Sequence, residues 1–482
     1  MQLTSDRFKQ QAQKALVDAQ LQRALLNVEK GFIGKRQMAA DALPEFEALR
    51  DNARDIKNHT LAHLDLYLEA YEKKVTEAGG IVHWAENAED ARRIVLDICR
   101  KAGTKTVNKG KSMITEEIDL NDYLAANGIT PVETDLGEYI IQLRGEHPSH
   151  IIAPAVHLNK EQVEGDFRRV HTHLAEARDL SEPAALLSEA REVLRKQYFE
   201  AKVGITGANF LIAETGSSVI VTNEGNGDLT QTLADVHVVV ASIEKMVPTL
   251  EDTAQILRLL ARSATGQDMS CYTTYSTGPR REGDPDGPKE YHVVLLDNGR
   301  SSMLGTEYQE MLRCIRCGAC MNHCPVYQSV GGHAYGSVYP GPMGAVLTPS
   351  LNGIEKTGQL PNASTFCGRC EAVCPMRIPL PKMMRHWRER EFEKHLTPAT
   401  ARYGLKLWAF FAKRPKLYRL AVSFGIPALS ALGGTKHRFR ALPFAGGWTR
   451  HRDLPAPEGR TFQQQWQQRE ALKQNVDQKR AA

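Results

Sequence analysis

The sequence has no run of the about twenty apolar residues that a membrane-crossing helix needs. Its longest weakly polar run, Leu420 to Gly434, spans fifteen residues and is interrupted by Gly425, Pro427 and Gly433. The N-terminus, MQLTSDRFKQQAQKALVDAQ, is polar and amphipathic and lacks the apolar stretch of a secretory signal, which points to a cytoplasmic protein. Nucleotide fingerprints are missing as well. No G-x-G-x-x-G occurs, since Gly225-Asn226-Gly227 lacks the third glycine and follows a polar turn. Lys109-Gly110-Lys111-Ser112 ends like a phosphate-binding loop without the glycine that should open it. Neither a flavin, a nicotinamide nor a nucleic-acid partner is expected.

What is present suits a soluble chain of several domains. At 482 residues it is too long for one core, and 42% hydrophobic with 24% charged residues is ordinary globular composition. Residues 5–30 and 41–78 read as two long amphipathic helices, the second ending at Gly79-Gly80. Strands and helices then alternate: strands at 81–85, 104–110 and 129–135, helices at 87–101, 112–128 and near 181–201. In GITGANFLIAETGSSVIVTNEGN (204–226) two β-rich runs flank Thr215-Gly216-Ser217, a hairpin signal. VHVVVAS (236–242) and YHVVLLD (291–297) are continuously apolar, as buried strands are. The expectation is an α/β domain with a mixed sheet over residues 1–305, a cysteine domain over 306–395 and a basic C-terminal region over 396–482.

Seven of the nine cysteines fall within 61 positions, a density that points to metal in a chain with no secretory signal. The other two, Cys99 and Cys271, are expected to be buried, inert thiols. Cys314-x2-Cys317-x2-Cys320-x3-Cys324-Pro325 has the spacing of a bacterial-type [4Fe–4S] loop, in which the fourth cysteine reaches the other cluster. Zinc would favour two CxxC pairs and four sulfurs, and fits this pattern poorly. The second motif, Cys367-x2-Cys370-x3-Cys374-Pro375, has one cysteine fewer. Ligand exchange assigns Cys314, Cys317, Cys320 and Cys374 to cluster 1, and Cys324, Cys367 and Cys370 to cluster 2. A complete second motif would have cysteine at 364, where the sequence has Ser364. Three readings stay open: a [4Fe–4S] cube with a non-cysteine fourth ligand (Ser364, water or a partner's residue), a [3Fe–4S] cluster, or an open iron that binds substrate. Gly318 and Gly368 leave room for backbone N–H groups to approach the sulfurs. Arg313, Arg316, Arg369 and Arg377 stand beside the ligands, where a guanidinium raises the potential of an anionic cluster, or simply faces solvent.

Outside the cysteines the signals are weaker. Glu214, Asn223, Glu224 and Asn226 cluster around a strand end, as pocket residues or as turn formers. His150, His157 and His237 read as core or surface residues rather than ligands. From Arg377 to Arg440 there are fifteen Lys/Arg against three Asp/Glu, a net +12 in a chain of +4. Leu407–Phe411 and Leu420–Leu432 add apolar surface to that block, suited to an anionic bilayer or an acidic protein groove. Pro415 and Pro427 should interrupt a long interfacial helix, which favours the protein groove. The Gln-rich end, QQQWQQREALKQ, reads as partly disordered.

The chain resembles the lactate utilisation protein B family, the iron–sulfur member of a three-protein L-lactate oxidation system. The residues that carry this are GITGANFLIAETGSSVIVTNEGN, the SATGQ of 263–267 with the downstream TGPRR, both cysteine motifs, and WTRHRDLPAPEGRTFQQQW. The resemblance implies an isomerase- or CoA-transferase-like lactate-utilisation domain and an α-helical ferredoxin domain with two cubane-type clusters, akin to those of heterodisulfide reductase and fumarate reductase subunits. It implies the same division of the seven cysteines, proteins A and C of the system as partners, and no agreed catalytic residues. The function it implies is single-electron transfer from L-lactate oxidation to an acceptor. An enzyme with its hydroxy-acid site in the α/β domain, a subunit of another heterodisulfide-reductase-like complex, and a cluster-stabilised scaffold are the alternatives.

Overall fold

The structure is a computed structural model that describes residues 3–110, 112–441, 449 and 452–481. The chain divides into two units, Met1–Lys394 and His395–Ala482. Among its described residues the first unit contains ten strands: β1 (Ile81–Ala85), β2 (Thr106–Lys109), β3 (Thr130–Glu133), β4 (Val203–Thr206), β5 (Phe210–Ile212), β6 (Ser217–Thr222), β7 (Val236–Ser242), β8 (Met246–Val247), β9 (Tyr272–Ser276) and β10 (Glu290–Leu296). Six of them form one sheet in the order β1-β10-β7-β4-β2-β3, and every pairing in it is parallel. β7 is buried at all seven positions, which is why its sequence is an unbroken apolar run.

The expected single mixed sheet is therefore two sheets. The hairpin at Thr215-Gly216-Ser217 does form, β5 pairing antiparallel with β6. It belongs, however, to a separate four-stranded sheet of order β8-β5-β6-β9. Gly216 takes φ +70°, and a Cβ there would come within 2.6 Å of the Val75 nitrogen, so the tight turn requires glycine.

The two long N-terminal helices are broken into shorter pieces. The first stops at Val17 and restarts at Ala19, because the Asp18 carboxylate accepts the N–H groups of Gln20 and Leu21 and so caps a new helix. The second is split into Phe46–Ala62 and Leu64–Glu77 at His63. One apolar core joins these helices, both sheets and the cysteine region, from Phe46 and Val239 to Met321 and Trp387.

In the second unit the helices Ala399–Ala412 and Pro415–Leu432 bury none of their residues. Pro415 opens its helix at the first turn, where no N–H is required. Pro427 does not end the helix as expected; the chain gives up one backbone bond and continues to Leu432. The Gln-rich end is ordered as a helix, Phe462–Ala481. Gln, Glu, Lys, Arg and Ala are strong helix formers. Thr461 and Gln464 close a reciprocal cap at its start, each side chain accepting the other's backbone N–H. Among the described residues no helix is long and apolar enough to cross a membrane.

Candidate metal centre

The two cysteine loops repeat one backbone. In the first, Arg316 and Gly318 flank Cys317 with φ of +60° and +73°; in the second, Phe366 and Gly368 flank Cys367 with +54° and +80°. This conformational repeat places Ser364 where the first loop has Cys314. The Ser364 hydroxyl accepts the Phe366 N–H at 3.1 Å. Left-handed backbone at Arg316 and Phe366 is costly for residues with side chains, and it curls each loop tightly around its sulfurs.

Cys314, Cys317, Cys320 and Cys374 line one cavity, closed by Ile151, Met311, Met343, Ile378 and Leu380. A second cavity is lined by Cys324, Cys367 and Cys370 together with Ser364, His323 and Pro342. The short helix Ala319–Asn322 carries the chain from Cys320 at the first cavity to Cys324 at the second. Burial pushes the Cys317 thiol up to about 12, with Cys374 adding to the effect. Burial does the same to Cys370, with Cys324 adding, again to about 12. Cys367, the exposed member, is shifted down instead by the Arg369 N–H. Packed thiols of this kind become thiolates together only beside a strong positive charge, as metal ions supply. The donor set therefore fits iron–sulfur clusters. The Ile378 N–H points at Cys374 Sγ at 3.5 Å, a contact that helps set cluster potentials.

His323 was not singled out in the sequence, and no spacing marks it. It is buried beside the second cavity, and its Nδ1 pairs with the Ala319 carbonyl at 2.9 Å. That bond fixes the tautomer and leaves Nε2 as the lone-pair nitrogen. Burial brings its pKa down to about 4, so the ring is neutral.

Two arginines from the N-terminal helices, also unmarked in the sequence, hold the second loop. Arg50 donates to the carbonyls of Ala372 at 2.7 Å and Cys374 at 2.8 Å, and Arg36 donates to that of Val373 at 2.8 Å. Of the four arginines beside the ligands, Arg369 is exposed and Arg377 pairs with Glu47 and Asp51. Arg313 and Arg316 are buried, so for them the solvated role is replaced by ion pairs with Glu310 and Glu244.

Arg316 ends a buried chain of charges. Arg300 pairs with Glu117 at 2.7 Å and Glu244 at 2.9 Å, and Arg316 reaches Glu244 at 3.3 Å while stacking on the Tyr339 ring at 5.0 Å. Burial would raise the Glu244 carboxyl, but Arg300 and Arg316 hold it at about 2. Lys57 is buried against the carbonyls of Glu244 and Met246 and is brought down to about 7 by that burial. Next to it lies Lys245, brought down to about 8 by burial and then by Arg316.

Lys245 and Arg316 line a cavity of about 250 Å³, together with Ser112, Asp135, Asn209, Asn223, Glu224 and Asn226. Of the strand-end residues singled out in the sequence, Asn223, Glu224 and Asn226 meet here. Glu214 does not; it is exposed and accepts the Leu250 N–H instead. Lys109 forms structural ion pairs with Glu116 and Glu133, and Lys111 lies outside the described residues. The histidines are engaged in the fold: His150 with Asn322, His237 with Thr206, and His157 with Glu146 and Ser149. Cys99 is buried, whereas Cys271 is exposed, against expectation, on the turn before edge strand β9.

A parallel α/β body that shares its core with two cysteine-lined cavities defines an iron–sulfur protein. Family models match in the same order along the chain: the LUD domain over residues 68–296, the 4Fe-4S dicluster domain over 310–378, and Lactate utilisation protein B, C-terminal, over 369–471. The chain is 40% identical to Lactate utilization protein B of Bacillus velezensis, over 98% of this chain and 99% of that one. Identity to the Bacillus subtilis protein of the same name is 40%, over 98% of each. It is also 40% identical to the uncharacterized electron transport protein YkgF of Escherichia coli, over 96% and 97%. The chain belongs to the lactate utilization protein B family.

Proposed function

We propose that this chain is the electron-transfer subunit of an L-lactate oxidation system, holding two iron–sulfur clusters in relay. Cys314, Cys317, Cys320 and Cys374 would hold the first cluster, and Cys324, Cys367 and Cys370 the second, with Ser364 and His323 as the nearby non-thiolate donors. The observation that carries this is the grouping itself: each cavity draws cysteines from both motifs, so the two sets cannot form independently. When bound, such clusters accept and give up single electrons. The protein's own contribution is to exclude water with Met311, Met343 and Leu380, to direct N–H groups at sulfur, and to fix the second loop through Arg36 and Arg50. With no hydride-accepting fingerprint in the chain, hydride chemistry falls to partner subunits, named by the family as proteins A and C. The basic second unit, with its exposed apolar helices, suits the docking of an acidic partner.

Anaerobic iron and sulfide analysis tests the proposal. About eight irons per chain are expected, or about seven if the second site holds [3Fe–4S], with matching labile sulfide. Stoichiometric zinc without sulfide would refute it.

A further inference from the structure

The loop between the helices Leu136–Arg144 and Lys160–Val170 packs against the turn that follows Cys324. A Cβ on Gly332 would lie 1.8 Å from the Ser149 carbonyl oxygen, so this approach requires glycine. The Tyr327 hydroxyl donates to the same carbonyl at 2.7 Å, and His333 Nε2 donates to the His147 carbonyl at 2.7 Å. These contacts bring three metal-type donors together, Glu146 and His157 from the loop and His333 from the turn. One donor atom of each lies within 4.8 Å of the other two. The rings of His157 and His333 meet edge to face, with centroids 4.5 Å apart.

We propose that Glu146, His157 and His333 bind one divalent transition-metal ion of the zinc type, which clips the α/β body to the segment behind the second cysteine cavity. Two imidazoles and a carboxylate are a zinc donor set with a fourth position for water. Imidazole also selects zinc, copper or nickel over magnesium and calcium. Each ligand is already oriented by a second partner, as metal ligands are. Arg144 Nε donates to Oε1 of Glu146 at 2.9 Å, while Oε2 faces His157 Nε2 at 2.8 Å. The His147 carbonyl takes the hydrogen on His333 Nε2, so the lone pair of that ring is on Nδ1. His157 Nδ1 lies 2.9 Å from the Ser149 hydroxyl, which in turn reaches the Pro154 carbonyl at 3.2 Å. In the ion-free form His157 Nε2–H donates to Glu146, and the Ser149 hydroxyl donates to Nδ1. When a metal takes the Nε2 lone pair, the hydrogen sits on Nδ1 and donates to Ser149, whose own hydrogen turns to Pro154. The ring keeps one hydrogen in both forms, so Ser149 suits either.

Charge around the site favours a cation. Glu146 borders a cavity whose wall also carries Asp119, Asp122, Glu138 and the Lys109-paired Glu116 and Glu133. Among the described residues no lysine or arginine lines it, and such a cavity concentrates cations. Arg144, the guanidinium on Glu146, is shared with Asp166 at 2.6 Å. A tetrahedral zinc spaces its donors about 3.3 Å apart. Glu146 and His157 are already that close, and His333 is exposed, with room to move in.

Calorimetric titration with zinc tests the proposal, on anaerobically purified full-length protein dialysed briefly against EDTA and with its iron and sulfide counted. One zinc per chain should bind in addition to the iron, and magnesium should not compete. In iron-replete protein the zinc absorption edge should show a nitrogen and oxygen shell without sulfur. His333→Ala, at an exposed position, should keep iron and sulfide at the wild-type level and weaken zinc at least about tenfold. That difference is expected with or without iron, so failure of the cluster reading leaves this test standing. No zinc binding by the wild type, equal binding of magnesium, a sulfur shell in iron-replete protein, or undiminished binding by His333→Ala overturns the proposal.

Discussion

Ser364 takes the position in its loop that Cys314 takes in the other, and the matching left-handed residues around Cys367 and Cys317 make the correspondence structural as well as numerical. An iron held there by a hydroxyl, a water or His323 receives less donated charge than one held by thiolate, and it should be lost first on oxidation. Brief air exposure should therefore give a [3Fe–4S] EPR signal that ferrous iron reverses. Ser364→Cys should suppress that signal, and unchanged air sensitivity in this variant would mean that the labile corner is elsewhere. Arg50 gives a second prediction at this scale. Arg50→Ala strips the donors from the carbonyls of Ala372 and Cys374, a loss of about 2–4 kcal/mol in chemical denaturation, with iron retained less tightly. Ser364 was legible in the sequence because cysteine spacing is a local code. Arg36 and Arg50 were not, because their roles depend on chain segments hundreds of residues apart meeting in space, such as Arg50 and Cys374.

Among the elements, the apolar strands β7 and β10 were readable because a strand buried on both faces has no choice of composition. The hairpin of β5 and β6 was readable from its turn, but not the sheet it joins, since pairing partners such as β8 and β9 leave little trace in a local pattern. Helix continuity misled in both directions: Asp18 breaks a helix by capping a new one, and Pro427 fails to break another. The two helices of the second unit carry exposed Leu407, Trp408, Phe410, Leu420 and Phe424 among lysines and arginines. If this surface serves a protein partner, the purified full-length chain should stay at the bottom of a flotation gradient with anionic vesicles. Co-flotation at physiological salt would assign the surface to lipid.

For the molecule as a whole, acid sensitivity separates two kinds of buried group. Burial lowers His237 to about 3 and His157 to about 4, so the folded chain holds both neutral while the unfolded chain protonates them near 6.5. Their contribution is complete above that value and is lost as pH falls toward the folded values. Glu244, held at about 2, contributes above its unfolded value of 4.5 and loses its contribution only as pH falls from there. The denaturation midpoint should thus already drop between about pH 7 and 5.5, and His237→Asn should flatten that slope while Glu244→Gln should not.

The central claim is that the two motifs exchange ligands, so that residues of one loop serve different clusters. Anaerobic EPR of Cys317→Ser and Cys324→Ser, seven positions apart, tests it most directly. The account predicts that Cys317→Ser removes the signal of one reduced cluster and Cys324→Ser that of the other, each variant keeping about half the iron. Loss of the same signal in both variants would contradict it.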